Sequence, residues 1–291
     1  MPLDKKKLEK PLVKLRKMLR NISKVPTQNE VHDIRTNTRR VEATVGALQL
    51  DRRRKGRRLL RAVTPVRKKA GRVRDVDVLT GFAAKLSTDG DDSCLVRLLE
   101  HLGEKRARTA NKLRRSIVKR TKVIGERLKT CAAFIEKGFN QRNSSKEREW
   151  PIDAAVTALR LSGELADWPR LTSDNLHAFR LKVKEMRYVL QLSGQDSELV
   201  KRLGQVKDQI GEWHDWVELN AVARKTLSDC KKCRVVTEIE QTAKHKFEHA
   251  LRTSQRLQRN YFARRELHFR RNRQNAAVGE HMLEATAKLA A

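Results

Sequence analysis

Aromatic residues are scarce in this chain: Phe, Trp and Tyr together make up 4%. Proteins that grip single-stranded nucleic acid by stacking its bases need such rings, so that mode of recognition is disfavoured. Cysteine is sparse and scattered, at Cys94, Cys131, Cys230 and Cys233, too thin for a disulfide scaffold. No window approaches the roughly 18 consecutive apolar residues of a membrane span. The opening MPLDKKKLEKPLVKLRK also lacks the apolar run of a signal peptide. No membrane span is expected, and the expected location is the cytoplasm. Acids are the last deficit: 35 Asp and Glu face 66 Lys and Arg, a formal net charge of +31 over 291 residues. Such an excess opposes compact folding by self-repulsion and points to a polyanionic partner, whether nucleic acid, an anionic membrane surface or polyphosphate.

What the chain has in plenty is helical periodicity. Leu8, Leu12, Leu15, Leu19 and Ile22 recur at three and four, and Pro26 closes that run. Thr27-Gln-Asn-Glu30 is a capping-box pattern opening the next helix. DRRRKGRR (51–58) reads as a connection centred on Gly56, STDGDDS (87–93) as a turn, and KGFNQRNSSKERE (137–149) as the least structured stretch. Ser173 or Asp174 is expected to cap the helix that follows. No alternating strand of useful length is present, so the fold class is all-α.

Two stretches then repeat. In VHDIRTNTRR (31–40), His32 is followed by Arg35 and Arg39; in LHAFRLKVKEMR (176–187), His177 is followed by Arg180, Lys184 and Arg187. Offsets of three, seven and ten fall at about 300°, 340° and 280° around a helix, so each histidine shares one face with its cations. Val31, Ile34, Val41 and Val45 stand over Leu176, Phe179, Met186 and Leu190, an apolar stripe beside the basic one. Downstream, Gly71-Arg-Val-Arg-Asp75-Val-Asp-Val-Leu79 aligns without gaps on Gly211-Glu-Trp-His-Asp215-Trp-Val-Glu-Leu219. Two motifs in one order at nearly equal spacing read as a duplication, with halves 1–145 and 146–275 and a frayed tail at 276–291.

The candidate polyanion contacts are therefore His32, Arg35 and Arg39 in one half and His177, Arg180, Lys184 and Arg187 in the other. Arg40, Arg67, Arg74 and Lys207 form a second rank, Arg67 and Lys207 being equivalent in the repeat. Two roles stay open for the histidines, direct anion contact or satisfied edge of the core. Asp75, Asp77 and Asp215 read as structural acids that hold arginines or helix ends. Trp213 and Trp216 read as core. Glu42 stands where the second copy has Arg187, and an acid there weakens the first site unless it pairs with a neighbour such as Arg39. Cys230-Lys-Lys-Cys233 is a lone CxxC. His245 and His249 follow in a CxxC…HxxxH order, but 234–247 reads as unbroken helix without the strands of a zinc finger. Paired surface thiols are expected there, with no metal, no cofactor and no catalytic residue.

The duplicated H-x-x-R-x-x-x-[RK] motif with its G-x-x-x-D-x-x-x-L partner resembles the CHAD family, the conserved histidine α-helical domain. The likeness spans about residues 5–270; RDVDV at 74–78 matches closely and HDWVEL at 214–219 more loosely. The resemblance implies two homologous four-helix bundles related by pseudo-two-fold symmetry around a central basic cleft or pore. It also implies binding of inorganic polyphosphate, location on polyphosphate granules and, in some members, association with polyhydroxyalkanoate granules. Many members carry a triphosphate-tunnel domain with an E-x-E-x-K strand. Here Glu238-Ile-Glu240 is followed by Gln and Thr, so a stand-alone member is expected. A basic helical nucleic-acid-binding protein is the rival reading, with nucleic acid otherwise a secondary polyanion. Oligomeric state is not legible.

Overall fold

The computed structural model describes residues 5–48, 50–86, 93–142, 154–192, 198–230 and 233–263. These residues contain no strand, so the chain is all-α as its periodicity implies. The helices are α1 (Lys5–Arg20), α2 (Gln28–Ala47), α3 (Arg54–Ala83), α4 (Ser93–Arg142), α5 (Ala154–Ala166), α6 (Leu176–Leu192), α7 (Glu198–Thr226) and α8 (Arg234–Leu257). A 3-10 turn, Leu50–Arg52, precedes α3, and a π turn, Gln258–Ala263, follows α8. The expected turn at 87–93 and the tail 276–291 lie almost wholly outside the described residues, as does most of the expected loop at 137–149, whose start belongs to α4.

Packing divides the chain into two compact units: Met1–Ala154 with Glu212–His245, and Ala155–Gly211 with Lys246–Ala291. This division differs from the expected halves, because it falls inside α7 and α8 rather than only in the connection before α5. A sequence repeat marks ancestry of segments, whereas packing follows where apolar faces meet, and the two need not coincide.

In the first unit, α1 packs on α2 and α4, and α3 packs on α2 and α4. The leucine stripe of α1, from Leu8 to Leu19, is buried against Val31, Ile34, Val41 and Val45 of α2. The α2 stripe read from the repeat is thus the core face. A second apolar cluster joins the later part of α3 (Val76, Leu79, Ala83) and the start of α4 (Leu98, Leu102). Trp216, Leu219 and Ala223 of α7 and Val235 and Ile239 of α8 complete it. Trp216 stacks on Phe82 with ring centroids 4.7 Å apart, and Trp213 is buried too. In the second unit, Leu176, Phe179, Val183, Met186 and Leu190 of α6 are buried, as are Leu203, Val206 and Ile210 of α7. Trp168 meets Phe179 edge-on at 5.6 Å.

Local chemistry sets the helix starts. Thr27 caps α2 as read: its hydroxyl accepts from the Glu30 amide at 3.2 Å, and Glu30 accepts from the Thr27 amide at 2.8 Å. Before α6, the residue that organises the turn is Asn175, not Ser173 or Asp174. Its carboxamide accepts from the Thr172 amide at 2.9 Å and donates to the Arg170 carbonyl at 2.9 Å. Only part of DRRRKGRR is a connection, since α3 begins at Arg54 and Gly56 lies in its first turn. The preceding turn folds back so tightly that a Cβ on Gly56 would sit 2.0 Å from the Leu50 carbonyl oxygen. The clash is with backbone, so it cannot be relieved by a rotamer change.

Gly56→Ala is therefore expected to destabilise the protein by about 1–3 kcal/mol, although alanine is the better helix former. Gly46→Ala, where a Cβ meets nothing within 4 Å, is the control. Thermal unfolding followed by circular dichroism compares the two.

Candidate polyanion site

The basic strips sit at two helix pairs, α2 with α3 in the first unit and α6 with α7 in the second. Their registers match. Arg35 lies against Gly71, whose added Cβ would stand 3.9 Å from the arginine Nε. At the equivalent place in the second unit, Arg180 lies against Gly211, and an added Cβ there would stand 2.8 Å from its guanidinium. The missing side chain lets the guanidinium lie on the α7 backbone, where Arg180 Nε donates to the Lys207 carbonyl at 3.0 Å. Two turns further along α6, Arg187 packs on Gly204, 3.4 Å from where a Cβ would be. Gly211 and Gly204 are thus close seats for arginines, which lowers the entropy that a freely swinging guanidinium would lose on gripping a ligand, whereas Gly71 gives Arg35 ordinary contact only.

Among the remaining candidates, His32 is exposed, with Thr36 Oγ1 3.5 Å from its Nε2. Arg40 is exposed; Arg39, Arg74 and His177 are half-buried. Lys184 lies over the Tyr188 ring at 5.7 Å. Lys207 pairs with its neighbour Asp208.

Asp75 gathers the first strip. Arg35 reaches its carboxylate at 3.9 Å, and Arg74 and Arg39 also act on it through their charge. Desolvation among the packed helices raises the Asp75 pKa above the usual carboxylate value. Arg35 opposes this shift and Glu218 adds to it. Asp77, two residues on, faces elsewhere: it is buried and accepts from Arg106 Nε at 2.6 Å, while Arg106 also donates to the Pro26 carbonyl at 2.9 Å. Neither acid is placed to share a metal with the other, and their reading as structural acids agrees with these contacts.

Glu42 pairs with a neighbouring cation as expected, and that cation is Arg67: Glu42 accepts from Arg67 Nε across the α2–α3 interface at 2.7 Å. Where the second unit carries two cations, Arg187 and Lys207, the first carries an ion pair. Arg67 is the candidate most committed to another task.

Two features escaped sequence reasoning. The second unit holds a cavity of about 810 Å³ lined by Arg202 of α7 and by His249, Arg252, Arg256 and Arg259 of α8 and the turn beyond it. These arginines have no motif of their own; they differ from the chain's other surface cations only in meeting across a groove. The other is a thiol cluster. Cys230 and Cys233 are joined by Cys94 of α4, with all three sulfurs within 4.8 Å of one another, and not by His245 and His249. Hydrogen bonding to Cys230 first, and to Cys233 next, pushes the Cys94 thiol up to about 12.

The described residues form an all-α fold with arginines set beside glycines in matching register on two helix pairs, in a protein of net charge +31. A model of the CHAD domain matches residues 12–224, and the chain belongs to the CHAD family. Similar solved structures include PptA from Streptomyces chartreusis, at 17% identity and a TM-score of 0.64, covering 88% of this chain and 98% of that one. Another is the CHAD domain from the plant Ricinus communis, at 12% identity and a TM-score of 0.61, covering 88% and 90%. No curated protein sequence matches. At these identities the solved structures speak for the fold.

Two outcomes follow from the site. Gly211→Ala is expected to drive the Arg180 guanidinium off the Lys207 carbonyl and to weaken retention on phosphocellulose. Gly71→Ala, with ordinary van der Waals room, should leave retention as it is; helicity should hold in both, since alanine favours the helix. For Asp75, the raised pKa means that the folded state binds its proton more tightly than the unfolded state. Its contribution to stability is therefore largest at acidic pH and falls as pH rises through the range just above the ordinary carboxylate pKa. Asp75→Asn should remove that part of the decline in the melting midpoint, measured against the wild type across the same pH series.

Proposed function

We propose that the chain is a non-enzymatic binder of inorganic polyphosphate. The observation that carries this reading is the arginine set beside a glycine at the same register in both units, close on Gly211 for Arg180 and at ordinary contact with Gly71 for Arg35. Polyphosphate offers a line of phosphates with no bases to stack upon or read. Gripping it takes convergent cations and little else. Arginine matches a phosphate through its bidentate fork, and lysine adds a mobile point charge. His32, Arg35, Arg39, Arg40 and Arg74 serve the ligand in one unit and His177, Arg180, Lys184, Arg187 and Lys207 in the other, with Arg67 weakened by its bond to Glu42. The second unit is the stronger site, because it keeps a cation where the first has that acid. The arginine-lined groove of the second unit extends the positive surface. A polyphosphate granule is the cellular location this chemistry implies.

Nucleic acid is the competing reading, favoured by net charge alone. Competition at fixed ionic strength separates the two: long-chain polyphosphate should displace a labelled polyphosphate probe far better than DNA of matched total charge. Equal displacement would sink the polyphosphate reading. Arg180→Glu combined with Lys184→Glu should weaken polyphosphate binding by roughly tenfold or more, since each charged hydrogen bond contributes about 1.5–3 kcal/mol. The helical circular dichroism should stay intact. Binding should also weaken steeply with added salt, and the double variant should show a shallower dependence.

A further inference from the structure

The chain's three clustered cysteines stand apart from the basic strips. Cys94 lies in the first turn of α4, Cys230 follows the end of α7, and Cys233 immediately precedes α8. Their sulfurs all fall within 4.8 Å of one another, and Cys94 and Cys230 are 3.3 Å apart. The fourth cysteine, Cys131, is buried in the other apolar cluster of the same unit.

Two sulfurs bound to one tetrahedral zinc ion, each at about 2.3 Å, lie roughly 3.8 Å apart. The cluster is therefore already close to the spacing of a shared cation. Its surroundings suit thiolates. Cys94 sits at the positive end of a 50-residue helix, and the Cys233 carbonyl accepts the Val236 amide at 3.1 Å in the opening turn of α8. Arg97, one turn along α4 from Cys94, bonds Asp229 at 3.0 Å and the Thr226 carbonyl at 3.4 Å, which ties the end of α7 to the start of α4 beside the sulfurs. The cluster is also shielded. Cys233 is buried, and Cys94 and Cys230 pack against the apolar cluster that joins α3, α4, α7 and α8.

We propose that Cys94, Cys230 and Cys233 form a site for a thiophilic divalent cation, zinc in the first instance, that fastens the α7–α8 connection to the start of α4. Each sulfur gives its proton to solvent as it takes the metal, and three thiolates leave the fourth tetrahedral position to water. Without the cation, hydrogen bonding to Cys230 and Cys233 holds the proton on Cys94; a bound dication reverses that balance. With three protein ligands the site keeps one open position, and none of its ligands belongs to the polyanion strips.

The test uses the full chain, reduced with a phosphine, stripped with a chelator, and titrated with Cd²⁺ and Co²⁺. The expected result is a thiolate-to-metal charge-transfer absorption that saturates at one ion per chain. It should be lost in Cys94→Ser and unchanged in Cys131→Ser. Zn²⁺ should raise the melting midpoint of the wild type and not that of Cys94→Ser. Absence of the absorption in the wild type would overturn the proposal without reliance on any variant. So would an absorption of full strength in Cys94→Ser, which places the ion on the CxxC pair alone. A wild type that takes no metal and instead loses two hydrogens to a Cys94–Cys230 disulfide under mild oxidation would overturn it as well.

Discussion

Thirty-one unbalanced positive charges set the terms on which this chain folds. Few acids are available, and the ones that matter are placed where helices meet. Asp75 faces the arginines of α2 and α3, Asp77 ties Arg106 of α4 to α3, and Glu42 holds Arg67 across the α2–α3 interface. Of the three only Asp77 is buried, and there the low local dielectric magnifies the pull on the cation it faces. The rest of the charge is carried outward on long helices, where water and salt screen it. The excess is tolerable in the free protein and becomes favourable when a polyanion supplies the missing negative charge.

The same helix pairs that carry the charge also orient it. A glycine on one helix receives an arginine from the next, so the guanidinium is pinned beside the backbone instead of ranging through solvent. The two pairs are not equivalent. In the second unit the seat is tight and the arginine donates to a carbonyl; in the first there is room to spare, and an acid takes up the orientation. The second pair relies on steric control and the first on electrostatic control, Glu42 included.

Much of the fold was legible because apolar periodicity and burial have one cause. Val31, Ile34, Val41, Val45 and their counterparts Leu176, Phe179, Met186 and Leu190 were read as stripes and all prove buried. The Thr27 cap was legible because it is local, involving residues three apart. What escaped was long-range. Cys94 meets Cys230 across 136 residues, and no spacing rule reaches that far. Asn175 organises its turn by accepting from the Thr172 amide and donating to the Arg170 carbonyl, a double role that a carboxylate such as Asp174 cannot fill and that its place in the sequence does not announce. The groove arginines were hidden by abundance, since one more arginine in a chain holding 66 basic residues carries no signal. The packing division passes through α7 at Gly211 and through α8 at His245, inside helices that continue unbroken, so no break in the helical pattern marks it.

Long helices with two clients have a further consequence within the first unit. Helices α3 and α4 each contribute to both of its apolar clusters, Leu59 to Val73 and Leu113 to Ile135 in one, Val76 to Ala83 and Leu98 to Leu102 in the other. Fraying either rod in the middle would sacrifice its hydrogen-bond ladder. The two cores are thus joined mechanically through shared backbone, with no need for side chains in common, and a change that unwinds either rod disturbs both.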